Sequence, residues 1–313
     1  TTGRRLAYAR HITRNTHPLT ARVFVNRVWM HLLWRGIVAT PGDFGLSGER
    51  PTHPGLLDWL AGDFVGHGWD LKRLVRQILS SHAYRQSSAR REDLHRVDPE
   101  NMLMGRANLK RLDAESVRDS LLVAAGLLNP QLGGASLPVT ENQEGKTVIG
   151  VRKIKDGLKA GVDSGRGDAN RRSLYIQMQR NKPLNMLATF DLPRMTPNCE
   201  IRPQTTVATQ SLWFMNDSQM VDWSERMAES IDGDLHDAIP WLEDLFVRLF
   251  ASLPDKSDKK MCLRYLESQT LQFIEDKDPI WQDQLSKDPT LARKRALATL
   301  CQTLVASNRF LYI

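Results

Sequence analysis

Only three cysteines, Cys199, Cys262 and Cys301, occur among 313 residues. The odd number excludes complete internal pairing. No two are spaced Cys-x-x-Cys, which argues against a zinc ribbon, a redox dithiol or a c-type haem site in this chain. Long apolar runs are missing too. The longest, Leu121 to Leu128, has eight residues, far short of the ~18 that a membrane span needs, and reads as a buried helix. A phosphate-cradling Gly-Lys-Ser/Thr loop, a His-Glu-x-x-His zinc helix and a Gly-x-Ser-x-Gly elbow are absent, which argues against the corresponding enzyme classes. There is no internal repeat and no low-complexity tract. The chain opens Thr1-Thr2-Gly3-Arg4-Arg5, without an initiator Met or a secretory signal. It therefore reads as a piece of a longer precursor, and the missing signal says nothing about compartment.

What is present is ordinary for a folded protein: 41% hydrophobic and 25% charged residues. The length corresponds to roughly two domains. A chain of this size can bury roughly 75% of the surface that its unfolded form exposes, so it needs no disulfide or metal staple. The net charge of +7 admits anionic partners: nucleic acid, acidic glycans or an anionic membrane surface. Because Lys and Arg are spread along the whole chain, a solvated basic surface accounts for the charge equally well.

Periodicity predicts a mainly α fold, a multi-helix globular body with a small antiparallel β hairpin or sheet in the middle of the chain. Pro18 is placed to open a helix carrying Ala21, Val25, Val28, Trp29 and Leu32, with Gly36 as its left-handed stop. Thr52 and Pro54 open a second, with Leu57, Leu60, Ala61 and Phe64 on one stripe. Asp70 caps a third, burying Leu71, Leu74, Val75, Ile78 and Leu79. Residues 85 to 101 read as a surface loop. Asp113 caps the next helix, which turns Ala114, Val117, Leu121, Ala124, Ala125 and Leu128 inward and ends at Asn129-Pro130. Alternation over Arg171 to Gln179 predicts a half-buried strand, with Val148 to Ile154 as its partner. Helices resume near Val207, after Asp217, at Pro240, at a Ser257 cap and at Pro289. The chain thus divides into an N-terminal helical part (1–130), an irregular segment with the small sheet and a Pro-rich loop (131–206) and a C-terminal helical part (207–313), together one unit.

Several clusters carry chemistry. Glu115 and Asp119, four apart, share one helix face with Arg118 and, a turn earlier, Arg111. They form either a general acid/base pair tuned by arginine or a structural ion-pair network. Asp43 in a Gly-Asp-Phe-Gly loop could pair with His53 for proton transfer, or bond its own turn. The loop holding Cys199, Arg202, Thr205 and Thr206, followed by Gln210, combines a thiol, a guanidinium and hydroxyls. It suits either a thiolate favoured by the neighbouring cation or an anion site, and the alternative is a structural cysteine in a buried loop. No metal site is predicted. The 152–172 stretch is basic, but without interleaved aromatics to stack bases.

Read in order, several segments look like one family. They include Pro18-Leu19-Thr20-Ala21-Arg22-Val23 with Val25-Asn26-Arg27-Val28-Trp29, Thr40-Pro41-Gly42-Asp43-Phe44-Gly45, and Pro51-Thr52-His53-Pro54 with Asp58-Trp59-Leu60. Asp98-Pro99-Glu100-Asn101, Ala114-Glu115 with Arg118-Asp119, Arg171-Arg172-Ser173-Leu174-Tyr175 and the closing Ser307-Asn308-Arg309-Phe310-Leu311 follow. The chain resembles the domain-of-unknown-function family numbered fifteen fifty-three, the C-terminal module of planctomycete-type cytochrome c multidomain proteins. His17 and the basic insert at 152–170 depart from the pattern. The resemblance implies an exported protein, periplasmic or at the cell surface. It also implies an upstream c-type cytochrome domain that carries the haem, and a second uncharacterised domain. This chain itself would hold no cofactor. No catalytic residue carries over. The expected function is an accessory or binding module that engages acidic polysaccharide or a partner domain. The alternatives are a polysaccharide-cleaving hydrolase or lyase using a carboxylate pair, and a non-specific nucleic-acid binder.

Overall fold

A computed structural model describes residues 2–155, 158–163, 168–193, 199–231 and 238–313. The fold is mainly α, with small antiparallel sheets midway along the chain, as the sequence pattern predicts. Chain contacts divide it into two units, Thr1–Lys110 and Arg111–Ile313.

The first unit holds α1 (Arg4–Ile12), α2 (Thr20–Leu33), α3 (Pro54–Gly66), α4 (Leu71–Leu79) and the short α5 (Glu92–Val97). The predicted stripes of α2, α3 and α4 meet in one core of Val25, Trp29, Ile37, Val38, Leu57, Leu60, Phe64, Leu74 and Ile78. Asp70 caps α4 through the Arg73 amide. Leu71, expected inward, is exposed; it lies in line with the stripe but in the first turn, at the very start of α4. The start of α2 differs from the Pro18 expectation. The helix begins at Thr20, and His17 Nδ1 accepts from the Leu19 and Thr20 amides, doing the work of an N-cap. Its end differs as well. Trp34, not Gly36, takes the left-handed conformation, with φ of 69°. Gly36 is needed for close approach: a Cβ there would stand 2.3 Å from the Val38 carbonyl oxygen and 2.9 Å from the Asn26 side chain. That crowding reflects a buried clasp, in which the Asn26 amide donates to the Val38 carbonyl at 3.0 Å and accepts from the Val38 N–H at 2.9 Å. α1 was not foreshadowed by periodicity, since none of its residues is buried. α5 falls within the stretch expected to be loop.

The second unit opens with α6 (Ala114–Ala124), capped by Asp113 through the Ser116 amide. β1 (Val139–Glu141) pairs antiparallel with β2 (Thr147–Ile149), and β3 (Val151–Lys155) with β4 (Leu158–Asp163). The helices α7 (Asn185–Thr189), α8 (Ala208–Asn216), α9 (Ser218–Glu229), α10 (Ala238–Phe250), α11 (Lys256–Glu275), α12 (Pro279–Lys287), α13 (Leu291–Val305) and α14 (Asn308–Leu311) follow. α13 lies centrally and packs on α8, α9, α11 and α12. Its stripe of Leu297, Leu300, Cys301, Leu304 and Val305 is buried as predicted. α11 starts earlier than the Ser257 expectation. Asp255 and Asp258 form a reciprocal capping box that satisfies two amides at once, a stronger stop than one serine hydroxyl. Pro279 opens α12, and Pro289 lies just before α13.

The strand expected over Arg171 to Gln179 is absent. Ser173–Tyr175 forms a 3-10 turn, and Leu174 and Met178, expected inward, are exposed. Ordinary ladder pairing is replaced by two isolated bridges, Asn129 to Arg171 and Leu137 to Ile176. Side chains of α6 engage the polar groups of this segment, as described below. The expected partner stretch, 148–154, is divided between β2 and β3. Of the basic 152–172 stretch, Asp156 and Arg166 lie outside the described residues.

The Asn26 clasp yields a direct prediction. Asn26→Ala leaves the Val38 N–H and C=O buried without partners, at about 1–3 kcal/mol for each lost group. Urea denaturation should show that loss, and native-state hydrogen exchange at the Val38 amide should accelerate accordingly. Unchanged exchange at Val38 would refute the role given to Asn26.

Candidate functional site

The residues singled out by sequence fall into three places. Asp43 and His53 lie in the first unit and are not brought together. Asp43 Oδ1 accepts from the Gly45 amide at 2.8 Å, closing its own turn. His53 Nδ1 meets Thr52 Oγ1 at 3.0 Å. Among the described residues no hydrogen bond or ion pair joins Asp43 to His53.

The second place is the N-terminal end of α6, where the Cys199 loop arrives. Arg202 forks onto Glu115, with Nη1 to Oε2 at 2.6 Å and Nη2 to Oε1 at 3.0 Å, and stands 3.7 Å from Asp113. Such a two-pronged geometry gives a strong, directional ion pair. It raises the Arg202 guanidinium above its ordinary value, against the opposing effect of burial. Glu115 sits in the first helical turn, where a carboxylate also complements the helix dipole.

Beside this pair lies a buried hub. Arg111, with 3% exposure, donates to Asp191 Oδ2 at 2.5 Å, to Gln210 Oε1 at 2.8 Å and to the Thr205 and Phe190 carbonyls. Asp191 also accepts from Thr205, from N–H and Oγ1 at 2.8 Å each. Gln210 passes its amide N–H to the Thr189 carbonyl at 3.1 Å. Thr206 Oγ1 meets the Tyr312 hydroxyl at 3.2 Å. Asp191 takes a left-handed φ of 64°, which aspartate tolerates better than most residues, and this turns its carboxylate toward Arg111. Burial pushes the Asp191 carboxyl upward, but the Thr205 donors and the Arg111 charge outweigh it and hold the group below its ordinary value.

The third place is the middle of α6. Arg118, 1% exposed, donates to the Arg171 carbonyl at 3.0 Å, to Ser173 Oγ at 3.2 Å and to the Ala169 carbonyl. Burial lowers this guanidinium to about 10, against the pull of Asp119. Asp119 Oδ1 accepts from Ser173 N–H at 2.8 Å and Oγ at 2.7 Å, while Oδ2 faces Arg172 at 3.4 Å. Arg171 is buried too. It donates to the Gln131, Gly133 and Ala135 carbonyls and lies 3.9 Å over the Tyr175 ring. These bonds occupy the Arg171 carbonyl and the Ser173 amide, two of the backbone groups that a strand over 171–179 would have offered to a neighbour.

Glu115 and Asp119 thus share a helix but serve different neighbours: Glu115 holds the 199–206 loop and Asp119 the 169–173 turn. Both oxygens of each carboxylate are engaged by donors of this chain. In the same way Arg202, the cation of the 199–206 loop, is met by the Glu115 and Asp113 carboxylates. Asp191, Arg171 and Tyr312 escaped sequence reasoning as members of these networks. Asp191 lies 80 positions from Arg111, and no spacing rule links them.

Cys199 is exposed, its Sγ 3.4 Å from the Ile201 carbonyl, so the alternative of a cysteine in a buried loop does not hold. Cys262 and Cys301 are buried, and burial raises their thiols to about 11 and about 12. Among the described residues no group of three or more His, Cys, Asp or Glu is placed to hold a metal ion, and no helix is long and apolar enough to cross a membrane.

The architecture defines a mainly helical domain braced by buried arginines. The chain belongs to the family described as protein of unknown function, DUF1553, whose model matches residues 4–266. No curated protein matches it, and no solved structure does.

Two outcomes are expected. A carboxyl depressed in the folded state adds stability that is present above its unfolded value, ~3.9, and is lost as pH falls through the folded value. Thermal melting should therefore lose stability below about pH 4, and Asp191→Asn should lower the melting temperature at pH 7 while flattening that acid limb. An unchanged acid limb would dismiss Asp191 as a contributor. Separately, a thiol reagent should label one cysteine, Cys199, in the native protein and all three after denaturation. Native labelling of Cys262 or Cys301 would contradict their burial.

Proposed function

We propose that this domain is a non-catalytic accessory module of an exported, cytochrome-c-linked multidomain protein, and that it engages an acidic polysaccharide or a partner domain of the same polypeptide. The observation that carries this reading is the engagement of both oxygens of Glu115 and of Asp119 by donors of this chain. A general acid must present a proton to the scissile bond, and a general base must have a lone pair free for a water. Glu115, held by the Arg202 fork, and Asp119, held by Ser173 and Arg172, are fixed as acceptors for donors of this chain, an arrangement that suits struts better than an acid/base pair. The net positive charge supports an anionic ligand. The c-type haem belongs, on this reading, to the upstream domain, because the cysteines here include no Cys-x-x-Cys pair. The basic 152–172 stretch, with Arg171 buried and Arg172 facing Asp119, gives the nucleic-acid reading little support.

Calorimetric titration with sulfated and uronic polysaccharides near physiological salt, with duplex DNA as control, tests this reading. Saturable glycan binding without DNA binding is expected. Glu115→Gln and Asp119→Asn should leave that affinity within about twofold while lowering the melting temperature, since each weakens a partly buried charged network by about 1–3 kcal/mol. Polysaccharide cleavage abolished by either variant in a still-folded protein would replace the binding module by a hydrolase or lyase.

A further inference from the structure

Counted by unit, the positive charge is not evenly spread. Residues 1–110 contain 17 Lys and Arg against 9 Asp and Glu, a net +8, while residues 111–313 contain 26 against 27, a net −1. Within the first unit the asymmetry sharpens further. The first 42 residues hold seven arginines and no acidic residue. Arg22 is neutralised by Asp58 at 2.7 Å, and Arg35 reaches toward Glu100. Arg4, Arg5, Arg10, Arg14 and Arg27 form no ion pair with any described residue.

Three of these five lie on α1, whose exposure is unusual for a helix of a folded domain. None of its residues is buried, and Leu6 and Tyr8 are 55% and 67% exposed. The helix is tethered at its C-terminal end, where Thr20 Oγ1 donates to the Ile12 carbonyl and the His11 and His17 rings meet edge to face. Arg4, Tyr8 and His11 stand at i, i+4 and i+7. Helical geometry stacks them along one face, about one turn apart.

We infer that α1 is the docking surface for the anionic ligand, and that this ligand is an acidic polysaccharide. The inference rests on the proposed function for the existence of such a ligand and adds where and how it is held. A sugar ring lies with its apolar face on Tyr8, while its sulfate or carboxylate groups are received by the guanidinium groups of Arg4 and Arg5, four and three positions before Tyr8 and so on its side of the helix. All seven cations of this segment are arginine, whose planar fork matches a trigonal or tetrahedral oxyanion better than a lysine ammonium does. A membrane surface fits poorly. Leu6 and Tyr8, two positions apart, project from opposite sides of the helix, so α1 has no apolar face to sink among lipid chains. Duplex DNA would engage the arginines but has no use for the Tyr8 ring.

The test titrates the full chain at about 150 mM salt with dextran sulfate and polygalacturonate, alongside phosphatidylglycerol vesicles and single-stranded poly(dT). Dextran sulfate or polygalacturonate should bind more tightly than vesicles or poly(dT). Arg4→Gln/Arg5→Gln should lower that affinity about tenfold and flatten its salt dependence. Tyr8→Ala should lower it about threefold with the salt dependence unchanged. Arg50→Gln/Arg96→Gln, exposed arginines elsewhere in the same unit, should stay within about twofold. Because α1 buries nothing, these variants should retain the wild-type circular dichroism and melting temperature. Wild-type binding that the α1 variants leave intact overturns the location and spares the glycan reading. Failure of the wild type to bind either polysaccharide defeats both. Tighter binding to vesicles or poly(dT) overturns the choice of occupant.

Discussion

Three arginines withdrawn from water organise the second unit. Removing a guanidinium from solvent costs several kcal/mol unless its donors are met by well-placed acceptors. Arg111, Arg118 and Arg171 meet most of theirs, largely at backbone carbonyls: Phe190 and Thr205 for the first, Ala169 and Arg171 for the second, Gln131, Gly133 and Ala135 for the third, with the Nε of Arg111 and of Arg171 left buried without a partner among the described residues. Each arginine therefore does what a strand ladder or helix would otherwise do for irregular chain. Much of the described chain near 129–137 and 169–173 is irregular, and these bonds supply partners to its backbone carbonyls. The carboxylates follow from the same constraint. Asp191 compensates Arg111, and Asp119 stands beside Arg118 and receives the Ser173 donors.

This constraint separates two kinds of arginine. Arg111, Arg118 and Arg171 are folded into the framework, the first two beside the carboxylates of Asp191 and Asp119. Those of α1 face solvent without acidic neighbours. Equal counts of a residue type thus conceal opposite consequences, because a buried, compensated cation has little attraction left for a distant anion, whereas an exposed and uncompensated one keeps its field. A single net charge for the chain mixes the two populations.

Helices with a clean stripe were legible from sequence. Leu57, Leu60, Ala61 and Phe64 on α3, and Leu297, Leu300, Cys301 and Leu304 on α13, are buried where a 3.6-residue period puts them, and the Asp70 and Asp113 caps are where they were expected. The misreadings share one cause: a local signal yielded to a partner distant in sequence. Alternation over 171–179 looked like a strand, but Arg118 and Asp119, more than fifty positions earlier, claimed its polar groups. Gly36 looked like a helix stop, yet the space it leaves admits the Asn26 clasp and Trp34 takes the left-handed turn. Ser257 gave way to an Asp255 and Asp258 pair that satisfies two amides. α1 was missed because periodicity detects burial, and α1 buries nothing.

The sequence by itself determined the class of fold, the position of most helices, the sparse cysteine chemistry and membership of the family, because these depend on local periodicity, capping and ordered motifs. Tertiary structure alone decided what the candidate site residues do. Glu115 and Asp119 could have been an acid/base pair or struts. The choice turned on whether Arg202, Ser173 and Arg172 came within hydrogen-bond reach, and such closeness across 50 to 90 residues of chain is a property of the packed fold, to which spacing along the sequence is blind.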